Sequence, residues 1–218
     1  MNDRNLLILT VYIICVVYVF YRIIKSIDNQ LEIGLDRESL NIQLDAQGLK
    51  DLMTIEFKLQ EQYEPEQLRE LPIAIENKSP ASSISVDWDQ SSLTDFDGRS
   101  RRVIRLIPAM RLDLFQSQVL SVIPPTQTLQ ERLTAEDVLK PNSDGALEIT
   151  SPLFNQGKLK KASERRDHFS LRLILQVYNP GAAAVGRRPY ALSCEFMVNK
   201  LPWTDALDWK PKQFTKPK

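Results

Sequence analysis

Apolar residues follow two regimes along this chain. From Leu6 to Ile24 the run LLILTVYIICVVYVFYRII is apolar on every side, broken only by Thr10 and by Arg22 near its end. A helix of ~20 such residues matches a hydrocarbon layer of ~30 Å, so the run predicts one N-terminal transmembrane α-helix within an anchor at 1–27. Tyr21 is placed at the interface, and Arg22 and Lys25 can extend their charged heads to water. No small-residue cleavage site follows the run, and Tyr12-Ile13-Ile14 offers no small residue ahead of Cys15, which argues against a cleaved or lipidated leader. The run has no GxxxG seam for self-association.

Past residue 35 the pattern changes to alternation, the mark of strands with one buried face. Leu40, Ile42 and Leu44 alternate, then Met53, Ile55, Phe57 and Leu59, then Ile73 and Ile75, then Ile84, Val86 and Trp88. Two later sets are cleaner and predict central strands: Phe169, Leu171, Leu173, Leu175 and Val177, then Tyr190, Leu192, Cys194, Phe196 and Val198. Between them NPGAAAVGRRP has the content of a connection. Residues 60–71, with Pro65, predict a surface loop or a single helical turn. Pro124 and Pro125 should end one strand before another begins. LTAEDVL predicts a short helix opened by Thr134 with Asp137 in a capping box, NSDG at 142–145 a turn, and 155–168 a mobile basic loop. Strands divided by turns, without helical patterns between them, predict a mainly β fold, an antiparallel β-sandwich over 28–199 followed by a tail at 200–218.

Charge adds a constraint. Lys plus Arg and Asp plus Glu both number 28, and the pI is near 6.6, so no global field favours nucleic acid or acidic lipid. Any charge that matters is local. Arg4 precedes the apolar run whereas Arg22, Lys25 and Arg37 follow it, which by the positive-inside rule points to a cytoplasmic domain. Cys15 belongs to the anchor and Cys194 to a strand, so no intramolecular disulfide is expected.

The densest polar stretch, IENKSPASSISVDWDQSSLTDFDGRSRRVIR at 75–105, reads as a hairpin. Ile84, Val86 and Trp88 take one face, and Asp87 and Asp89 the solvent face. Asp97-Gly98 is a two-residue turn flanked by Phe96 and Arg99, placed for a cation–π contact. Arg101, Arg102 and Arg105 return opposite the aspartates as surface pairs. A calcium loop aligned on Gly98 would have Leu93 first and Ile104 last, so both terminal ligands are missing. The single histidine, His168, reads as a strand-end residue, Cys194 as an inert core thiol, and no nucleophile elbow, phosphate-binding glycine loop, C-x-x-C or H-E-x-x-H motif occurs. These features predict neither an enzyme nor a cofactor, metal or small-molecule substrate. In the tail, Trp203, Trp209 and Phe214 interleave with Lys210, Lys212, Lys216 and Lys218. That pattern suits packing over an open end of the sandwich, or docking to a lipid surface or a protein partner, and nucleic acid less well.

Asn77, the Asp87-Trp88 pair, Asp97-Gly98, Arg102, and Pro124 with Pro125, followed by SPLF and the late alternating strands, form an ordered pattern over 73–198. It resembles a loosely defined family of uncharacterised bacterial envelope proteins with an immunoglobulin-like sandwich. The resemblance implies that fold and exposure outside the cytoplasm, opposite to the side indicated by the basic flank, and implies no activity. The expectation is a single-pass protein bound to the lipid bilayer, acting as an accessory, scaffold or assembly subunit with a protein partner in a membrane complex. The alternative is a stand-alone envelope sensor or ligand-binding module.

Overall fold

The computed structural model describes residues 3–27, 30–107, 116–179 and 189–201, and the side chains of its first helix at 7–22. In chain order the elements are α1 (Asp3–Ile27), β1 (Leu31–Leu35), α2 (Arg37–Ala46), β2 (Met53–Phe57), β3 (Leu71–Asn77), β4 (Ser83–Thr94), β5 (Ser100–Arg105), β6 (Ser121–Ile123), β7 (Thr128–Ala135), a 3-10 turn (Glu136–Val138), β8 (Leu139–Pro141), β9 (Leu147–Ile149), α3 (Gln156–Arg165), β10 (His168–Tyr178) and β11 (Pro189–Lys200). The fold is mainly β. Its main sheet is antiparallel throughout, in the order β1-β11-β10-β4-β5-β7-β3-β2.

β5 turns this path back on itself. Its residues 100–102 pair with the end of β4, and its residues 103–105 pair with β7. β6 takes the edge of β4 that β5 leaves free. Side chains from both halves then share one core: Ile55, Ile73, Ile75 and Leu133 from one, Val86, Trp88, Leu173 and Phe196 from the other. The outer strands nearly close the circuit. Phe57 on β2 lies edge-on to Phe196 on β11 with ring centroids 4.8 Å apart. Leu31 and Tyr63 also exchange backbone bonds of 2.9 and 2.8 Å. The two late strands hold the inner places that their alternation predicts, with Leu171, Leu173, Leu175, Leu192, Cys194, Phe196 and Val198 fully buried.

Several local expectations are corrected. The alternation of Leu40, Ile42 and Leu44 belongs to helix α2: Asp36 caps it by accepting from Ser39 N at 3.0 Å. Leu40 and Leu44, one turn apart, are buried, and Ile42 faces solvent. The helix shields part of the β11 edge, because the Gln43 amide exchanges bonds of 2.9 and 2.8 Å with the Ser193 backbone and Gln47 donates to Ala191 O. The basic segment 155–168 is not a loop for most of its length. Asn155 caps the ten-residue helix α3, which seats Leu159, Ala162 and Ser163 inward and ends at Arg166 in the left-handed conformation. Thr134 opens no helix; it lies in β7 with its hydroxyl donating to Arg69 O, and the 3-10 turn after it has no side-chain cap.

The transmembrane expectation is not supported by the elements themselves, since among the described residues no helix is long and apolar enough to cross a membrane. The described side chains of α1, residues 7–22, cover only ~24 Å at ~1.5 Å per residue. Apart from the half-buried Val16, its large apolar residues nonetheless stand 49% to 66% exposed, and none belongs to the core.

Candidate functional site

The 75–105 stretch is a hairpin, but a more elaborate one than simple alternation predicts. Opposite Leu173 of β10, β4 bulges: Arg172 pairs with Ser92 while Ile174 pairs with Asp87. The bulge shifts the burial phase, so Trp88 and then Ser91 and Leu93 point inward. Asp87 closes the bulge by accepting from the backbone of Asp89 and Gln90, and Ser91 Oγ donates to Asp87 O at 2.6 Å and accepts from Ile174 N.

Asp89 is therefore not a solvent-face residue. It accepts from Arg102 Nη2 at 2.6 Å and from Gln118 N at 2.8 Å. Burial alone would raise its pKa, but the Arg102 and Gln118 hydrogen bonds together outweigh that and hold the carboxyl below its ordinary value. Gln118 also stands in for a strand residue beside β5, donating to Val103 O and accepting from Arg105 N. Arg105 and Trp88 converge on one hydroxyl, each donating to Ser121 Oγ at 2.8 Å, and Arg105 also pairs with Glu131. The arginines expected as surface pairs are largely buried, with Arg101, Arg102 and Arg105 side chains at 8%, 25% and 18% exposure, whereas Arg99 is 70% exposed.

At the far end of the sandwich Asn77 is fully buried. Its amide nitrogen donates to Ser82 O, Ile123 O and Pro124 O, and its oxygen accepts from Ser79 N. One side chain thus ties the β3–β4 turn to the β6–β7 turn.

The hairpin tip builds one wall of a cleft. Asp95 and Arg99 are paired through Asp95 N to Arg99 O at 3.0 Å, and Gly98, at φ 77°, closes a three-residue loop rather than the two-residue turn expected. Phe96 does not serve Arg99; it packs against Phe154 and Phe169, and Arg101 lies 5.1 Å over the Phe154 ring. Arg101 Nη1 donates to Asp137 Oδ1 at 3.1 Å and to Leu153 O at 2.8 Å, while its Nε and Nη2 are buried without a hydrogen-bond partner. These groups and the first turn of α3 line a half-open cleft of about 580 Å³. Lys158 of α3 donates to Asp97 across the mouth, and that bond is the main reason the Lys158 ammonium titrates above its ordinary value.

The cleft offers positively charged donors in a partly buried setting, balanced by Asp95, Asp97 and Asp137. It presents no nucleophile with an adjacent base. His168 begins β10, exposed, on a neighbouring hollow with Arg165 and Asp167. Cys194 is a core residue whose thiol is pushed up to about 12 by burial. Among the described residues no group of three or more His, Cys, Asp or Glu is placed to hold a metal ion. The docking candidates Trp203, Trp209, Lys210, Lys212, Phe214, Lys216 and Lys218 lie outside the described residues.

Arg101, Asp137, Phe154 and Lys158 were not singled out as a site from the sequence. They come from four separated segments, and only the SPLF string, whose Leu153 and Phe154 are buried, hinted that an irregular segment packs here. No protein-family model matches the chain, and no curated protein matches it.

Proposed function

We propose that this chain is a single-pass membrane protein whose N-terminal helix tethers an immunoglobulin-like sandwich, working as a non-catalytic accessory, scaffold or assembly subunit of a membrane complex. The observation that carries the reading is α1: over residues 7–22 its large apolar side chains other than Val16 stand exposed, and none belongs to the core. A helix apolar on every face is stable only when something apolar surrounds it. The sequence extends the described apolar stretch to Leu6 and Ile24, ~28 Å of helix, close to the hydrocarbon thickness.

The strand order supports the sandwich type. With β2, β3, β7 and β5 taken as A, B, E and D, and β4, β10 and β11 as C, F and G, the two halves follow the order of a constant-type immunoglobulin domain. Buried Trp88 then sits on strand C, as in that fold. The resemblance to envelope proteins of this architecture agrees with it and adds no chemistry. Sandwiches of this kind serve chiefly as binding surfaces, an analogy of fold. The second reading, a ligand-binding module working alone, is favoured by one feature, the cleft around the unpartnered Arg101 donors.

Alkaline carbonate washing of membranes carrying the full chain tests the tether. The full chain should stay in the pellet, and replacing Val11, Ile14 and Val17 by Lys should release it; a wild-type chain that washes off would remove the basis of the reading.

A further inference from the structure

The fold gathers basic residues at the end of the sandwich where the chain enters from α1. Residue 27 ends α1 and Leu31 opens β1, so at ~3.3 to 3.6 Å per residue the start of the sandwich lies within ~15 Å of the helix end. Leu31 pairs with Lys200, and Leu201 N donates to Gln30 O. α3 lies at this same end. Its C-terminal flank is fixed to β11, with Val198 N donating to Asp167 O, and Lys158 at its other end reaches the β4–β5 hairpin tip.

α3 is sharply two-sided. Leu159, Ala162 and Ser163 face inward, while Lys158, Lys160, Lys161, Arg165 and Arg166 are all exposed, against Glu164 and the half-buried Asp167. Among the described residues Lys161, Arg165 and Arg166 take part in no ion pair. Lys158 is engaged by Asp97, which leaves the charges of Lys161, Arg165 and Arg166 without an ion-pair partner among the described residues, and a tethered domain would hold them within reach of the bilayer surface.

We propose that α3 is a lipid-facing helix whose exposed Lys and Arg side chains rest on anionic phospholipid headgroups beside the α1 anchor. This inference rests on the tether proposed above. Basic residues held near an anionic surface are attracted to it, and the attraction fades within a Debye length, so the contact should depend on lipid charge and on salt. It would orient the sandwich, turning the α3 end to the membrane and the Asn77 end away. β10 alone spans ~36 Å between those ends.

The test uses the full chain with Cys15→Ser, reconstituted in vesicles of phosphatidylcholine alone or with phosphatidylglycerol, and floated on a density gradient. A fluorophore is attached at Glu164→Cys on α3 or, as a control, at Gln127→Cys near the Asn77 end, with quenching by headgroup-spin-labelled lipid. Buried Cys194 should not take the label. The α3 label should be quenched at least twofold more in phosphatidylglycerol vesicles than in phosphatidylcholine, and the excess should vanish in high salt and in Lys161→Glu/Arg165→Glu. The control label should show no such difference. Equal quenching at both positions, or no dependence on phosphatidylglycerol, would overturn the α3 contact while leaving the tether intact. Failure to float with either vesicle would instead overturn the tether, and this placement with it.

Discussion

Replacing Asn77 by Ala should destabilise the sandwich far more than a single polar side chain ordinarily does. The Asn77 amide nitrogen has two hydrogens to share among three carbonyls, at 2.8 Å (Ser82), 3.1 Å (Ile123) and 2.9 Å (Pro124), and its oxygen accepts from Ser79 N at 3.0 Å. The residue is 0% exposed, so water cannot replace these partners without opening the two turns. Truncation deletes about three effective hydrogen bonds. With ~1 to 1.5 kcal/mol for each of these buried bonds, the loss is ~3 to 5 kcal/mol. That is a large share of the ~5 to 15 kcal/mol typical of a domain. Urea unfolding of the full chain in mild detergent, followed by tryptophan fluorescence, measures it. Asn77→Asp keeps the shape and removes the donors, turning an acceptor toward three carbonyls. Its folded-state pKa should be raised, so its stability is greatest below the unfolded value near ~3.9 and falls as pH rises toward the folded one. A loss under ~1 kcal/mol for Asn77→Ala, or no worsening of Asn77→Asp with rising pH, would refute this account of the buried amide.

Other expectations follow from the hairpin and the core. Asp89→Asn should lose stability relative to wild type at neutral pH. Because the native Asp89 carboxyl is held below its ordinary 3.8, the difference is present above that value and should shrink as acid titrates the wild type through its folded pKa; a difference that persists unchanged in acid denaturation curves would contradict the Arg102–Asp89 pairing. Gly98→Ala should cost ~1 to 2 kcal/mol from its φ of 77° alone, since no atom lies within 4 Å of an added Cβ, and Gly98→Asn should cost less in the same unfolding assay. Trp88→Phe should cost ~1 to 2 kcal/mol through the lost bond to Ser121; Ser121→Ala should cost at least as much because it also strips Arg105 of an acceptor, and the double variant should lose less than the sum of the two. Cys194 should resist alkylation in the folded protein at neutral pH and react on unfolding, since burial pushes its thiol up to about 12.

The strands legible in the sequence were those with one dry face: the sets around Leu173 and Phe196 appear as β10 and β11, their alternation broken in β10 where Ile174 is also buried beside the β4 bulge. Leu40, Ile42 and Leu44 misled because three apolar residues at alternate positions also fit a helix that buries only the first and third, and the decisive signal was the Asp36 cap ahead of them. α3 was missed for a similar reason: its buried stripe is just Leu159, Ala162 and Ser163, too weak to stand out among lysines and arginines. In β4 the period-2 pattern ended at Trp88 because of the bulge, which is why Asp89 looked solvent-facing when it binds Arg102 and Gln118. The cleft was illegible for a deeper reason. Its charges are ordinary surface types, and only the tertiary fold buries Arg101 over the Phe154 ring and beside Asp137.

The account turns most directly on the particle that leaves the membrane. Extraction of the full-length protein from its native membrane in mild detergent, followed by measurement of the particle's mass and protein composition, should find it with defined partners at fixed stoichiometry. The protein migrating alone, with no partner retained at any detergent strength that keeps the sandwich folded, would contradict the subunit reading and leave the cleft at Arg101 as the place to look for its ligand.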